Sequence, residues 1–431
     1  MARVNDHIIR LGFGLSRFIR PAYNFLPSSL RSRISGLVRE RSVATLKSHD
    51  LAKLQDPALA QGKIGVNLIG FPFSTSGLGN LLKRAHQAMA ASALPHGVVD
   101  IQKTSFQAQH EKDASLPILS SPEFKGNIFC LNGDGLLTTL SGVPEDFWQK
   151  RFNIQYAAWE LPSYPIPWRI ADRFIHEYWA ISEYTAESIR RTSSVPCLNM
   201  GIPVAVDIQG KYERSTFNLP EHSFLFLTAF DMNSVTYRKN PDGAIAAFQK
   251  AFPQSKKDDV GLVVKVSRIR GRNEQDKMFR NLTTLANKDP RIKIIDQVLS
   301  RDQMNGLMNL CDGFLSLHRS EGFGLGMAEA MCLGKTVVAT GYSGNMGFMR
   351  EDNSYLVQFK EVPVVEGGYP YWQGQTWAEP DEESAVASLR LAFLSENKEM
   401  GERAKKFIEE EFSIEAFAKK YRQRLSDLNI I

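Results

Sequence analysis

The most constraining feature of this sequence is a strand–turn–helix segment in which two glutamates, Glu321 and Glu329, stand eight residues apart. The apolar run Phe314–Leu317 predicts a strand that leads into the glycine turn Gly322–Leu325, and a short helix follows with Glu329 in its second turn. Glycine lets the backbone approach a ligand closely, and a helix N-terminus presents unpaired N–H groups to an anion. The segment therefore predicts a site for a phosphate-linked sugar.

The length and composition predict a soluble enzyme with two domains. The chain has 431 residues, of which 43% are hydrophobic and 23% are charged. No apolar run approaches the roughly 20 residues that a membrane-spanning helix needs. The four cysteines lie far apart without Cys-x-x-Cys spacing, which favours reduced thiols and a cytoplasmic location over disulfides or a metal site.

Positive charge is concentrated at the N-terminus. Residues 1–50 contain nine Lys or Arg and three acidic residues, a net charge of +6, so the rest of the chain carries about −1 of the total of +5. We interpret residues 1–60 as a basic amphipathic extension and not as a general nucleic-acid-binding signature. Within residues 1–25 a helix is predicted that ends at Pro21 and carries arginines opposite its apolar side. Such a segment suits an anionic membrane surface, packing on the protein's own surface, or organelle targeting.

From residue 61 onward strands and helices alternate in two series, which predicts an α/β protein with parallel sheets. We place an N-terminal, acceptor-side Rossmann-like domain at 61–205 and a C-terminal, donor-binding one at 206–412, with Cys197–Val206 as the connection. The closing segment 413–431, predicted as a helix, is compatible with a return to the first domain. Ligands of such folds bind at the carboxyl ends of the strands, here in a cleft between the two sheets.

An enzyme that binds a dinucleotide is the obvious rival. The stretches Gly77-Leu78-Gly79 and Gly322-Phe323-Gly324 each lack the third glycine of the GxGxxG fingerprint, and the chain contains no GxxxxGK[ST] phosphate loop. A dinucleotide-dependent oxidoreductase is therefore disfavoured.

The segment containing Glu321 and Glu329 resembles the E-x7-E signature of retaining glycosyltransferase family 4, in its bacterial polysaccharide or cell-surface glycan type. The resemblance runs from about residue 63 to the C-terminus and includes four further stretches: Ala158–Pro162, Cys311–Asp312, Ala330–Gly334 and Trp377–Asp381. It implies the GT-B fold, in which two Rossmann-like α/β domains face a central cleft. It also implies metal-independent transfer of a sugar from a nucleotide-diphosphate sugar to an acceptor hydroxyl, with retention of configuration.

The resemblance implies a set of donor contacts in the second domain. The carboxylate of Glu329 would hold the ribose. Glu321, a candidate catalytic residue together with Lys239 and Arg238, would either reach the donor sugar or brace the turn. Backbone groups would meet the sugar, the phosphates and the base at Gly322, Phe323, Gly324, Leu325, Val298 and Leu299.

Catalysis needs fixed cations, because negative charge grows on the diphosphate as the sugar–phosphate bond breaks. The resemblance assigns this role to Lys239, which together with Arg238 lies between a predicted strand and a predicted helix. Relatives carry a second arginine shortly before this position, where this chain reads Asp231–Asn233, so Arg238 or Lys265 is expected to replace it. The alternative is a solvated basic pair, which the positive end of the following helix disfavours.

The acceptor side is less sharply defined. A helix is predicted from near Leu81, and the preceding loop with Gly77 and Gly79 resembles the loop that lets acceptor and diphosphate meet in the family. Asp134 and Glu160 are candidates at the ends of first-domain strands, although relatives often carry a histidine near Glu160 that this chain lacks. Each of these four residues is otherwise an ordinary turn residue.

No metal and no cofactor is expected, because the chain has no Asp-x-Asp at a predicted strand end and no His/Cys cluster. The expected partners are a nucleotide-sugar donor, a glycan or lipid-linked acceptor and an anionic membrane surface at residues 1–25, without nucleic acid. The expected location is the cytoplasm, including the inner face of the cell membrane. Two other interpretations stay open: a non-catalytic sugar-nucleotide-binding or membrane assembly protein, and another GT-B enzyme such as a sugar-nucleotide epimerase.

Overall fold

A computed structural model describes residue 26 and residues 28–48, 57–74, 76–101, 115–254, 259–268, 273–395 and 398–431. These residues form two compact units. The first comprises the described residues up to Trp159, together with Ser163–Pro203 and Ile414–Ile431. The second comprises Glu160–Pro162 and Val204–Ser413. The amphipathic helix predicted within residues 1–25 lies outside the described residues.

The first unit is built on a seven-stranded sheet in which all neighbouring strands are parallel. Its strands are β1 (Lys63–Gly70), β2 (His96–Asp100), β3 (Ile118–Leu119), β4 (Phe124–Phe129), β5 (Phe152–Ala157), β6 (Glu177–Ala180) and β7 (Cys197–Asn199). Their order across the sheet is β3-β2-β1-β4-β5-β6-β7. This order, which starts near the middle and reverses once, is that of a doubly wound Rossmann-like domain.

The second unit repeats this plan with a six-stranded parallel sheet. Its strands are β8 (Phe224–Asp231), β9 (Val260–Ser267), β10 (Ile292–Ile295), β11 (Gly313–Ser316), β12 (Thr336–Thr340) and β13 (Tyr355–Val357). They are ordered β10-β9-β8-β11-β12-β13. A separate antiparallel pair is formed by β14 (Phe359–Pro363) and β15 (Thr376–Pro380).

Helices connect the strands in both units. In the first unit they are α1 (Ser28–Ser48), α2 (Gly77–Ala91), α3 (Gly133–Gly142), α4 (Glu183–Arg190) and, after the second unit, α12 (Ile414–Asp427). In the second unit they are α5 (Thr236–Lys239), α6 (Pro241–Ala251), α7 (Asn273–Ala286), α8 (Arg301–Leu310), α9 (Leu325–Cys332), α10 (Glu382–Ser395) and α11 (Lys398–Glu411). Helix α1, part of the basic segment 1–60, packs on α3, where Ser141 donates a hydrogen bond to Ser42 at 3.0 Å.

The core of the second unit lies against its sheet. Phe248 and Phe252, contributed by α6 and its C-terminal cap, and Leu389 of α10 are buried together with strand residues such as Val264 and Leu315. Burying a side chain of this size contributes about 1.5–3 kcal/mol of stability. The continuous apolar runs of β8 and β9 are typical of parallel strands that helices cover on both faces.

Each sheet has one point at which the strand order reverses, and both points carry predicted site residues. The reversal lies between β1 and β4 in the first unit and between β8 and β11 in the second. Connections leaving the carboxyl ends of these strands diverge there, which leaves room for a ligand. Gly79 follows β1 and Asp134 follows β4, whereas Arg238 and Lys239 follow β8 and Glu321 follows β11.

Two boundaries differ from the sequence-based prediction. The helix predicted from near Leu81 begins at Gly77, where the side chain of Ser76 accepts a hydrogen bond from the first turn. Because a serine cap stabilises a helix start, the helix can begin within the glycine pair despite the low helix propensity of glycine. The predicted connection Cys197–Val206 instead opens with strand β7, and the second unit begins at Val204. A strand of three residues is too short to show its periodicity.

Candidate functional site

Three charged side chains meet at the strand-order reversal of the second unit. Nη1 of Arg238 lies 3.1 Å from Oε2 of Glu321, and Nζ of Lys239 contacts the other carboxylate oxygen, Oε1. Arg238 and Glu321 are buried, whereas 23% of the Lys239 side chain is exposed. We call these three residues the charged cluster. It unites the three residues that the sequence assigned to catalysis, and Lys239 is its more accessible cation.

The charges of this cluster stabilise one another. Burial alone would raise the pKa of Glu321, but Arg238 and Lys239 outweigh it and hold this pKa well below its usual range. Burial opposes the charged form of Arg238, yet Glu321 raises the pKa of the guanidinium. Burial lowers the pKa of Lys239, and Glu321 counteracts part of that change. Glu321 is therefore ionised at neutral pH and is shared by two cations.

The loop that follows β8 has an unusual backbone conformation. Val235 and Asn240, which flank the short helix α5, have φ values of 59° and 52°. A β-branched residue is strained in this left-handed region, and such strain is concentrated at sites that need fixed geometry. Nδ2 of Asn240 donates to the carbonyl oxygen of Leu317 at 2.9 Å, which ties the loop to the residue after β11.

Arg319, which the sequence did not single out, braces the same loop. Its Nε and Nη2 donate to the two carboxylate oxygens of Glu379 at 2.7 and 2.9 Å. Its Nη1 donates to the carbonyl oxygen of Tyr237 at 2.7 Å, and the guanidinium lies 4.3 Å from the centre of the Tyr237 ring. Arg319 thus joins the loop after β8 to β15. Its only sequence signal is its position two residues before Glu321.

Glu160 packs with the second unit and not, as predicted, with the first. Its backbone carbonyl accepts a hydrogen bond from the hydroxyl of Ser320, and its Oε2 accepts one from the hydroxyl of Tyr369 at 2.6 Å. The guanidinium of Arg238 lies 5.9 Å from the centre of the Tyr369 ring. Tyr369 therefore lies next to both the carboxylate of Glu160 and the guanidinium of Arg238. Glu160 follows β5 of the first unit along the chain, as predicted, so the sequence did not indicate these contacts with the second unit. Its acceptor-side role stays a prediction.

The glycine turn between β11 and α9 contains backbone donors without a partner in the described residues. Gly324 has a φ of 95°, and a Cβ atom at this position would lie 2.4 Å from Cε of Met327, so the turn requires glycine. Within the part of the chain that the structure describes, the N–H groups of Phe323, Gly324 and Leu325 reach no acceptor. A helix start of this kind presents positive potential to an anion.

The backbone of Glu321 is fixed from both sides. Its N–H donates to Oγ of Ser343 at 2.8 Å, and its carbonyl oxygen accepts from the N–H of Gly344 at 2.9 Å. A Cβ atom on Gly344 would lie 2.1 Å from the carbonyl oxygen of Gly322, so the two segments touch through their backbones. The Glu321 carboxylate consequently has little freedom to move away from the charged cluster.

Glu329 lies in the second turn of α9 and is buried. Nη2 of Arg301, the first residue of α8, contacts its Oε1. The exposed fraction is 4% for the Glu329 side chain and 42% for the Arg301 side chain. A buried carboxylate requires a partner, because transfer of a charge from water is costly. The sequence indicated Glu329 but gave no indication of Arg301.

A depression of about 300 Å³ lies at the carboxyl ends of β9 and β10. Its lining residues are Val266, Ser267, Arg268, Asp296, Gln297 and Val298. Val298 is 81% exposed, and Leu299 is half-buried beside it. The stretch predicted to meet the base therefore contributes to a surface depression of this unit.

Lys265 adjoins the depression and has its own partner. Its Nζ donates to Oγ of Ser267 at 2.5 Å. Burial lowers the pKa of Lys265, and the carboxylates of Asp231 and Asp296 counteract part of that change. Of the two residues expected to replace the family's arginine, Arg238 is the one that pairs with Glu321.

In the first unit, the predicted acceptor-side residues form helix starts. Gly77 and Gly79 lie in the first turn of α2. Asp134 lies in the first turn of α3, where its Oδ1 accepts a hydrogen bond from Nε1 of Trp168 at 2.8 Å. A carboxylate in the first turn of a helix is favoured by the helix dipole. These three residues thus lie in regular helices, which differs from the turns considered as the alternative, and their acceptor-side roles stay predictions.

We expect Gly79→Ala to destabilise the protein by about 1–3 kcal/mol, because the added methyl group would overpack the turn. A Cβ atom on Gly79 would lie 2.3 Å from the carbonyl oxygen of Ser74, whereas one on Gly77 would meet nothing within 4 Å. Gly77→Ala is therefore the matched control, with unchanged or slightly higher stability. Urea unfolding checks both variants. Equal stability of the two would contradict the close approach at Gly79.

The described residues contain neither a cluster of metal ligands nor a membrane-spanning helix. No three His, Cys, Asp or Glu side chains within these ranges are grouped so that they could hold a metal ion. All four cysteines are thiols, and Cys130 and Cys311 are buried. No helix in the same ranges is long and apolar enough to cross a membrane.

The sequence around the charged cluster is similar to a known family. Residues 221–363 match the family of glycosyl transferases group 1. This stretch contains Arg238, Lys239, Glu321 and Glu329, and it is less than half of the chain. No curated protein gives a significant match to the sequence.

Several solved structures share the fold at low sequence identity. HepE (Alr3699) of Anabaena, in complex with UDP and glucose, has a TM-score of 0.63 and 13% identity over 84% of this chain and 99% of its own. Sucrose-phosphate synthase of Thermosynechococcus elongatus has a TM-score of 0.63 and 14% identity over 86% and 99%. The lipopolysaccharide outer core galactosyltransferase WaaB has a TM-score of 0.55 and 12% identity over 84% and 99%. The predicted GT-B class, with two Rossmann-like units, is confirmed. Together with the family match, it supports a glycosyltransferase.

Proposed function

We propose that this protein is a retaining, metal-independent glycosyltransferase that moves a sugar from a nucleoside-diphosphate sugar to an acceptor hydroxyl. The observation that carries the proposal is the charged cluster of Arg238, Lys239 and Glu321 at the carboxyl ends of β8 and β11. Ligands of doubly wound sheets bind at this position. The cluster also lies within the stretch that matches glycosyl transferases group 1.

The charged cluster suits a diphosphate leaving group. Negative charge accumulates on the diphosphate as the bond to the sugar breaks, and a preorganised cation lowers the energy of that transition state. Lys239 can turn from Glu321 to a phosphate oxygen, since Arg238 continues to neutralise the carboxylate. The N–H groups at the start of α9 add positive potential on the same side of the sheet.

In this proposal two glutamates make further contacts with the donor. Glu329 binds the ribose, and Glu321, fixed next to the cations, borders the sugar. Configuration is retained when the leaving phosphate takes the proton of the acceptor hydroxyl on the face it has just left, so that no protein nucleophile is required. We assign acceptor-side roles to Gly77, Gly79, Asp134 and Glu160.

UDP sugars are the first donors to test, because HepE of Anabaena was solved with UDP and glucose. We extend the proposal to cell-surface polysaccharide or glycolipid synthesis in the cytoplasm. This extension is supported by the fold shared with the lipopolysaccharide galactosyltransferase WaaB. Contact of residues 1–25 with an anionic membrane surface would bring the enzyme to a lipid-linked acceptor.

The test begins with a thermal-shift panel of UDP, GDP, ADP and dTDP sugars on the full chain. A true donor at 100 times its Kd should stabilise the protein by about 2.7 kcal/mol. The selected donor is then incubated with lipid and oligosaccharide acceptors in EDTA, and the anomeric configuration of the product is read by NMR. We expect nucleotide release only with an acceptor, an unchanged configuration and no effect of EDTA.

Other results would select a different function. Inversion of the anomeric centre would contradict retention, and loss of activity in EDTA would contradict metal independence. An isomerised nucleotide sugar formed without acceptor would indicate an epimerase. Donor binding without turnover would indicate a binding protein. That second candidate is favoured by Asp231–Asn233, where relatives carry an arginine.

A further inference from the structure

The partner of Glu329 comes from the start of a neighbouring helix. Arg301 is the first residue of α8, and the residues around it form a reciprocal cap. Oγ of Ser300 accepts from the N–H of Gln303 at 3.1 Å, and the side chain of Gln303 accepts from the N–H of Ser300 at 2.9 Å. A capping box of this kind fixes the backbone at the helix start. It therefore fixes the backbone from which the Arg301 side chain extends to Glu329.

Arg301 also lies near the residues predicted to meet the base of the donor. Val298, only three positions earlier in the chain, lines the depression at the ends of β9 and β10. The guanidinium of Arg301 contacts Glu329, the proposed ribose ligand. Arg301 is therefore close along the chain to the predicted base contact and in direct contact with the proposed ribose ligand.

The ion pair leaves chemical capacity for a ligand. A carboxylate has about four lone-pair positions and a guanidinium has five N–H donors, so Glu329 can accept from Arg301 and from a ribose hydroxyl together. With Arg301 removed, the buried carboxylate would have to bind the ribose without its cation, at a considerable desolvation cost. The pair therefore supports ribose binding and need not compete with it.

We propose that Arg301 is a positioning residue for the nucleotide. It holds the carboxylate of Glu329 in the orientation that binds the ribose, and it stays there when the donor is bound. This inference rests on the proposed function, in which Glu329 is the ribose ligand. It adds a residue that acts through Glu329 and sets the preference for ribose over deoxyribose nucleotides.

The test measures the affinity of UDP, 2′-deoxy-UDP and GDP for the full chain by calorimetry. Arg301→Ala should weaken UDP binding about tenfold, the effect of losing one charge-assisted hydrogen bond, and should reduce the preference for UDP over 2′-deoxy-UDP. Arg301→Lys should restore part of the affinity for UDP and part of the preference for UDP over 2′-deoxy-UDP. At saturating donor, kcat should change less than about twofold, because the interaction is made equally before and during the reaction.

A double-mutant cycle and a control separate positioning from a general structural effect. In a Glu329→Ala background, Arg301→Ala should cause no further loss of affinity. The control is Arg403→Ala, which removes a similarly exposed arginine that lies 3.8 Å from Glu399 on α11. Its affinity for UDP should equal that of the wild type.

Each remaining outcome decides against the inference. Unchanged or tighter UDP binding by Arg301→Ala would show that the ion pair is dispensable or that it competes with the ribose. An equal loss in the presence and absence of Glu329 would show that Arg301 does not act through Glu329. Failure of the wild type to bind UDP or GDP would overturn the donor assignment as well. If the wild type binds UDP, Glu329→Ala binds it more weakly and Arg301→Ala binds it normally, the donor assignment stands. That result overturns only the inference about Arg301.

Discussion

Replacing Lys239 with alanine is expected to lower the rate of sugar transfer by about 10²- to 10³-fold, the usual cost of removing one preorganised donor to a developing negative charge. Nζ of Lys239 contacts Glu321 and is partly exposed, so it is the cation best placed to follow the diphosphate. The effect should fall mainly on kcat, since the charge develops in the transition state. The fold should persist, because Arg238 still neutralises Glu321.

The matched control for this variant is Lys250→Ala. Lys250 is a half-exposed lysine of the same unit that pairs with Glu382 and Glu383, and surface ion pairs of this kind contribute only about 0–1 kcal/mol. Steady-state kinetics should show wild-type transfer for Lys250→Ala, and thermal unfolding should show both variants folded. A near-normal kcat for Lys239→Ala would contradict the assignment of Lys239 as the residue that stabilises charge on the diphosphate.

Glu321→Gln is expected to reduce both stability and activity. The substitution keeps the shape of the side chain but leaves Arg238 and Lys239 without the anion that they share. Removing one partner of a buried ion pair costs about 3–5 kcal/mol, and a similar loss is expected here. Chemical unfolding measures that loss. Transfer should also fall, because Lys239 loses the contact that holds it in place.

The pH dependence of unfolding tests the same carboxylate. The pKa of Glu321 is lower in the folded protein than its unfolded value of 4.5. Its contribution to stability is therefore complete above about pH 4.5 and decreases as the pH falls towards the folded pKa. In Glu321→Gln, the free energy of unfolding should therefore decrease less between pH 4.5 and lower pH than in the wild type. Glu382→Gln, at an exposed glutamate, should show the same decrease as the wild type. Identical acid unfolding of all three proteins would contradict the stabilising role of Glu321.

The parts of the site that follow from short stretches of chain could be predicted from the sequence. The strand β11, the glycine turn and the carboxylate of Glu329 are consecutive, so periodicity, glycine placement and spacing were sufficient to describe them. The alternation of buried strands with helices likewise identified the α/β class. The positions of Lys239 and Glu321 after strands β8 and β11 then followed from the general rule that ligands bind at the carboxyl ends of such strands.

The contacts between remote residues could not be predicted in this way. Tyr369 and Glu160 are separated by 209 positions, and Arg319 and Glu379 by 60. Nothing in the composition around Arg301 distinguishes it from any other arginine in the first turn of a helix. These contacts depend on packing between elements, which a single sequence does not record. The strand β7 was missed for a different reason, because three residues do not establish a period.

The tripeptide Glu160–Pro162 has a consequence for exchanging domains between related enzymes. The main stretch of the second unit, Val204–Ser413, lacks the residue that accepts hydrogen bonds from Ser320 and Tyr369. A chimaera joined only at Val204 would therefore place a foreign residue opposite these two hydroxyls. Exchange of the second unit with its Tyr369 hydrogen bond intact requires that the tripeptide be transplanted with it, as a separate graft inside the foreign sequence.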